Sequence, residues 1–159
     1  MKALFAFIIA VCATLPAFAG DATFSSNGIV ARITAPDDWQ VSGGTGQPLI
    51  VKFPDESIEV TVALVGSQYG PEKLSSDFLD AMHSQLARKD TATISGHDAY
   101  IYRSTRSDSS GAEIEFSLTV VPLDRINTLV CIVTFAGGLA PDKQAALDAT
   151  VASLTILSP

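Results

Sequence analysis

Residues 128–136, with the sequence TLVCIVTFA, constrain the fold more than any other part of this chain. In a strand, alternate residues point to opposite faces, and here both alternating sets are almost entirely apolar. A strand that is apolar on both faces belongs in the middle of a sheet with a covering layer on each side. The segment therefore predicts a central strand, with Cys131 buried between the sheet and one covering layer.

Two amphipathic segments can supply the covering layers. Apolar residues recur at three- and four-residue steps over residues 71–86, which predicts a first helix. Arg88 and Lys89 would follow at its C-terminal end, where the helix dipole favours cations. Residues 141–154 also carry one apolar face and predict a second helix.

Alternating apolar and polar residues predict the other strands of the sheet. These are residues 28–35, 39–41, 49–53, 58–65, 91–94, 99–104 and 113–121. Most connections between them are too short for parallel crossovers, so the sheet is expected to be mostly antiparallel. The predicted fold class is α+β, a helix–sheet–helix sandwich with a central sheet of about six to eight strands and two main helices.

The N-terminal end has the pattern of a secretory signal peptide. A basic residue precedes a short apolar run, which a proline and the small-x-small sequence Ala17-Phe18-Ala19 follow. The run is too short to be a stable membrane anchor, so we expect a periplasmic or secreted protein. The expected organisation is a signal peptide over residues 1–19, a loose polar leader over 20–27 and a single domain over 28–157.

The charge and the cysteine content narrow the classes of partner and fold. Loss of Lys2 with the signal peptide leaves nine Lys and Arg against seventeen Asp and Glu, a net charge of −8. Phosphate contacts need clustered Lys and Arg, so no nucleic-acid partner is expected. The acidic balance either suits a basic protein partner or serves only solubility. Cys131 would be the one remaining cysteine, so no intramolecular disulfide is expected.

Four segments, at residues 33–39, 74–86, 94–100 and 152–154, resemble the PsbP-like superfamily, which includes PsbP, DcrB and the Mog proteins. Residues 33–39, with the sequence ITAPDDW, are similar to its opening, in which a strand is followed by Pro36, two variable residues and Trp39. Residues 94–100 resemble its entry to a hairpin, in which Gly96 is followed by two residues and an alanine. Residues 152–154 resemble the end of its closing helix.

The resemblance extends over nearly all of residues 28–156. It implies an antiparallel sheet between helices and a mostly non-enzymatic role, and it carries over no catalytic residue because the superfamily shares none. Within this pattern Pro36, Trp39, Gly96 and Cys131 are expected to be structural.

Motifs for catalysis or metal binding are weak in this sequence. On the predicted first helix, Asp80 and His83 could be neighbours, but a zinc site needs three or four ligands. His97 follows Gly96 in a turn, where capping of its own backbone is the simpler interpretation. The glycine-containing loops match neither a serine-nucleophile elbow nor a phosphate-binding motif. We expect no cofactor, no bound metal and no enzymatic activity.

Aromatic residues of two neighbouring strands should meet in the core. Tyr100 and Tyr102 share one strand face, and we expect them to pack with Phe116 of the next strand. Arg103 would then lie on the opposite face, near Glu115 or the other glutamate of that strand. An aromatic binding surface is the alternative interpretation of the two tyrosines.

The first functional hypothesis is a non-catalytic binding protein that acts through contacts with another protein. Loops carry function on such scaffolds, and the candidate loops are residues 42–47, 66–70 and 104–111. The binding residues expected in or beside them are Gly44, Gln47, Tyr69, Arg106 and Asp108.

Two alternatives remain open. One is an immunity protein that neutralises a type VI secretion toxin in the periplasm, since some such proteins are small, secreted and similar to this fold. The acidic balance would complement a basic toxin. The other is a carrier of a small apolar ligand or lipid. Helices over a sheet can leave an apolar pocket between layers, and 47% of the residues are hydrophobic.

Overall fold

A computed structural model describes residues 18–66 and 70–158 of the chain, with side chains over 20–66 and 70–157. Their elements run in the order β1 (Phe18–Ser26), β2 (Ile29–Pro36), β3 (Gln40–Gly43), β4 (Leu49–Lys52), β5 (Ile58–Gly66), α1 (Pro71–Ala81), β6 (Gln85–Ile94), β7 (His97–Ser107), β8 (Glu113–Pro122), β9 (Asn127–Ala136), α2 (Pro141–Ala152) and β10 (Thr155–Ser158). Neither described helix has the length and hydropathy needed to span a bilayer.

The strands form two sheets. The larger has seven strands in the order β3-β4-β5-β9-β8-β7-β6, and the smaller has three in the order β1-β2-β10. Every strand pair in both sheets is antiparallel, as the short connections predicted. β9 pairs with β5 on one side and β8 on the other, so its predicted central position is confirmed.

Both faces of β9 are covered, as its sequence required. Leu129, Cys131 and Val133 belong to a large buried cluster on one face of the seven-stranded sheet. Val130 belongs to a smaller cluster on the other face, with Ile132 packed against it. The two clusters are the two halves of the core, and β9 contributes to both.

The helix α1 covers the smaller cluster. Leu74 and Phe78 of the helix pack against Tyr102 and the residues around it. The Phe78 and Phe116 rings meet edge to face, with their centroids 6.5 Å apart. At the start of α1, Glu72 forms an ion pair with Lys89 of β6, which ties the helix to the sheet edge.

The other face is covered by α2 together with the three-stranded sheet. Ala146 and Leu147 of α2 lie in the large cluster, beside Phe24 of β1 and Ile33 of β2. The hydroxyl of Ser153, at the end of α2, accepts a hydrogen bond from the Thr34 N–H of β2 at 2.7 Å. The α+β sandwich of a mostly antiparallel sheet and two helices is thus confirmed, with a second sheet sharing one covering layer.

The prediction of a loose leader over residues 20–27 is wrong, because most of this segment belongs to β1. Ala22 and Phe24 are 6% and 2% exposed, and they alternate with polar residues that face outward. Regular pairing with β2 runs from Gly20 to Ser26. Most residues of this segment are small and polar, but Ala22 and Phe24, two positions apart, are buried on the core side, as expected for a strand with one face covered.

The predicted first helix is five residues too long. α1 ends at Ala81, and His83 has a left-handed φ of 52° that turns the chain back toward the sheet. Leu86, Arg88 and Lys89 then lie in β6, which forms a ladder with β7. Pairing with β7 explains the difference, because the backbone N–H and C=O groups of β6 form hydrogen bonds with that neighbouring strand.

The strand β6 is the outer edge of the larger sheet, and its register shifts between Leu86 and Arg88. Charged side chains follow this irregularity, and the Arg88 Nε donates a hydrogen bond to the Asp90 carboxylate at 2.9 Å. Bulges and charges of this kind discourage edge-to-edge pairing between molecules.

The sequence pattern also missed the last strand. The predicted second helix ran to residue 154, whereas α2 ends at Ala152 and β10 follows. β10 pairs with β2, and the Ile156 N–H donates to the Ser95 hydroxyl at 2.9 Å. Ser95 and Gly96 have φ of 50° and 84°, the left-handed values of a tight hairpin turn, so glycine suits the second position.

Aromatic residues of the turns after β2 and β4 contact each other, and the second of these turns contacts α2. The Pro36 carbonyl accepts a hydrogen bond from the Trp39 N–H at 3.1 Å, and Trp39 is 5% exposed. Its ring meets Phe53 edge to face, with centroids 5.6 Å apart. The Lys143 Nζ of α2 lies 4.5 Å from the Phe53 centroid and 2.5 Å from the Asp55 carboxylate. Trp39, Phe53 and Lys143 thus connect these two turns with α2.

The burial of Cys131 gives a direct test of the central strand. Cys131 is 1% exposed, and burial raises the pKa of its thiol to about 12, so little thiolate forms near neutral pH. We expect slow reaction with a thiol reagent in the folded protein and rapid reaction in denaturant. Cys131→Ser should lower the free energy of unfolding by about 1–3 kcal/mol, because it buries a hydroxyl without a partner. Fast labelling of the folded protein would contradict a central β9.

The Asp55–Lys143 contact gives a test by pH. Hydrogen bonds from Lys143 and Ser57 lower the pKa of Asp55 to about 2. Because this pKa is below its unfolded value, the contact stabilises the fold above about pH 4, and the stabilisation disappears as the pH falls toward about 2. Urea unfolding of Asp55→Asn should depend less on pH in this window. Asp37→Asn, a change at an exposed turn residue, should keep the original dependence, and an identical change in both variants would contradict the assignment.

Candidate functional site

The first predicted binding loop is partly built into the fold. Gly44 is buried, and its carbonyl accepts a hydrogen bond from the Ser25 N–H at 2.7 Å. A Cβ added to Gly44 would come 2.5 Å from the Thr23 carbonyl oxygen, so this close approach of two backbones requires glycine. Gln47 is exposed beyond this contact. Of the two predicted residues, only Gln47 is free to meet a partner.

Arg106 is held by the end of α1. Its Nη1 donates a hydrogen bond to the Met82 carbonyl at 2.9 Å, and its guanidinium lies 5.3 Å from the Phe116 ring centroid. A cation near the last carbonyls of a helix stabilises its C-terminus. The structure thus gives this predicted binding residue a structural contact.

Asp108 folds back on its own hairpin. Its carboxylate accepts hydrogen bonds from the Ser110 N–H at 2.7 Å, the Ser110 hydroxyl at 2.6 Å and the Ala112 N–H at 3.0 Å. These bonds lower the pKa of Asp108. They close the turn between β7 and β8 and use acceptor positions that a partner would need. Tyr69 lies outside the described residues, so its role as a contact stays a prediction.

The histidines are not brought together. His83 lies in the turn after α1, so the expected helical pairing with Asp80 is wrong, although the His83 N–H donates to the Asp80 carbonyl at 3.1 Å. His97 is the first residue of β7. Over the described residues, no three His, Cys, Asp or Glu side chains could together hold a metal ion.

The packing of the tyrosines is confirmed, but the expected partner of Arg103 is wrong. Tyr102 is 1% exposed and lies opposite Leu118 on the face that also carries Phe116. Arg103 lies opposite Ser117 instead of a glutamate. Its Nε lies 3.7 Å from the Asp90 carboxylate of β6, the strand that pairs with β7 on the side away from β8.

A groove beside α2 is the feature best suited to hold a ligand. It has a volume of about 510 Å³, and it lies between α2 and the face formed by β7, β8 and β9. Its apolar lining comes from Val133 and Phe135 of β9 and from Leu147 and Val151 of α2. We call it the α2 groove. Its size and apolar lining match those of small-molecule sites, which span roughly 300–1,000 Å³.

Polar side chains surround the apolar part of the α2 groove. β7 contributes Arg103, β8 contributes Glu115 and Ser117, and α2 contributes Gln144 and Asp148. Polar groups around an apolar centre can orient a bound molecule and select among ligands. Arg103, Ser117 and Glu115 share a sheet face because their strands pair with Ser117 opposite Arg103 and Thr105 opposite Glu115.

Sequence reasoning missed the α2 groove because its walls come from distant segments. One signal was present. Glu115 and Ser117 alternate with Phe116 and Leu118, so a polar strand face lies next to the strongly apolar β9. Polar residues on the covered side of a central sheet indicate a gap in the covering layer, which is what the structure shows.

Comparisons with known proteins identify the fold. No family model and no curated protein matches the sequence. The structure is similar to LpqN of Mycobacterium tuberculosis, a protein involved in cell envelope biogenesis. That match has 15% identity and a TM-score of 0.59, and it covers 88% of this chain and 91% of LpqN.

The structure is also similar to PsbP (CyanoP) of Synechocystis sp. PCC 6803. This match has 14% identity and a TM-score of 0.54, and it covers 86% of this chain and 92% of CyanoP. The narrower resemblance to DcrB and the Mog proteins stays a prediction. Together with the element order above, these similarities show that the chain shares the fold of LpqN and CyanoP, as the resemblance to the PsbP-like superfamily implied.

Proposed function

We propose that this protein is a non-catalytic binding protein that holds a small apolar ligand in the α2 groove. The single observation that carries the proposal is the groove itself, which is about 510 Å³ in volume and lined by Val133, Phe135, Leu147 and Val151. Removing a ligand's apolar surface from water at such a site contributes about 25 cal/mol per Å². The apolar lining therefore supplies affinity, and the polar rim supplies selection.

The composition of the groove supports binding rather than catalysis. Its lining contains no histidine and no cysteine, and Cys131 is buried in the core. Glu115 and Asp148 are its carboxylates, and they come from different elements. We expect a site of this composition to hold a molecule by burial and orientation.

The proposed location is outside the cytoplasm. The motivation is the signal-peptide pattern over residues 1–19, together with the similarity in fold to LpqN, a protein of cell envelope biogenesis. A carrier there would move an apolar molecule through an aqueous compartment.

Filling the groove should prevent binding. Ala152 lines the α2 groove at the end of α2, whereas Ala145 is exposed on the same helix and does not line it. Nile red, a neutral apolar fluorophore, should bind the protein with enhanced emission, and Ala152→Trp should weaken its affinity at least about tenfold, or 1.4 kcal/mol. Ala145→Trp, the matched control, should leave binding unchanged. Absence of binding to the unchanged protein, or equal loss in both variants, would contradict the proposal.

A further inference from the structure

We infer that the α2 groove selects ligands in which an apolar body carries a positively charged amine. This inference rests on the proposed function and names its ligand class. It follows from the balance of charges around the groove, in which one carboxylate forms no ion pair with any described residue.

Glu115 is the residue that carries the inference. It is half-buried at the groove, yet it forms no ion pair and no side-chain hydrogen bond with any other described residue. Across the ladders it lies opposite Thr105 on one side and Phe135 on the other. A carboxylate with an aromatic neighbour and reduced access to water gains more from a cation than an exposed carboxylate does.

The other charged groups of the groove strengthen the same preference. Asp148 adds a second carboxylate, which accepts a hydrogen bond from the Gln144 Nε2 at 2.9 Å. Arg103 is the groove's one cation among the described residues, and its Nε already lies 3.7 Å from the Asp90 carboxylate. The positive charge of Arg103 is thus shared with a carboxylate outside the lining.

The chemistry of the lining then defines the ligand. Valine, leucine and phenylalanine side chains accommodate an alkyl or aromatic body. An ammonium group at one end of that body can reach Glu115 and form a charge-assisted hydrogen bond. A carboxylate or phosphate at the same end would be repelled by Glu115 and Asp148.

Three eight-carbon probes with different head groups test this inference in the purified protein. Octylammonium, octanol and octanoate share their apolar chain, and their dissociation constants can be measured by titration calorimetry below the concentrations at which they aggregate. We expect octylammonium to bind at least about tenfold more tightly than octanol, and octanoate to bind more weakly than octanol. Glu115→Gln should abolish the preference for octylammonium and leave the affinity for octanol unchanged.

Glu113→Gln is the matched control, because Glu113 lies on the same strand face, is exposed and does not line the groove. It should retain the preference, and thermal unfolding should show that both variants are folded. Equal binding of octylammonium and octanol, or the same loss of preference in both variants, would overturn the inference while the proposed carrier function stands. Failure of all three probes to bind would overturn both.

Discussion

The fold depends on the burial of β9 on both of its faces. A strand whose two faces are apolar cannot tolerate water on either side, so the chain must supply two covering layers. Leu74 and Phe78 of α1 complete one half of the core. α2 and the three-stranded sheet complete the other half. The α2 groove lies where that second layer ends, above the part of β7 and β8 that carries Arg103, Glu115 and Ser117.

Much of the fold could be predicted because local periodicity and burial agree. The central position of β9 and the antiparallel sheet followed from patterns within single segments. The errors arose where a distant partner decided the structure. Leu86 continues the apolar spacing of α1, yet it lies 48% exposed in β6 because β7 needs a ladder neighbour. Residues 20–26 have weak strand character, and β2 makes them a strand by pairing.

Little of the candidate site could be predicted, because loops were expected to provide it. Arg106 and Asp108 are polar residues near a hairpin, but their hydrogen bonds close the helix end and the turn. Partners such as the Met82 carbonyl lie far away in sequence, so no local pattern reveals them. The α2 groove has the opposite character. Its ordinary valine, leucine and glutamate residues become a site only when α2 is placed across the sheet.

The pairing of β2 has a consequence for the order in which the chain can fold. β2 lies between β1, which precedes it directly, and β10, the last strand of the described chain. The Thr155 hydroxyl reaches the Arg32 carbonyl across a separation of 123 residues. During synthesis or export, β1 and β2 can form a hairpin early, but the second edge of β2 stays open until β10 has emerged. Closing so long a loop costs more entropy than closing the β1–β2 hairpin, so we expect β10 to pair with β2 after that hairpin has formed.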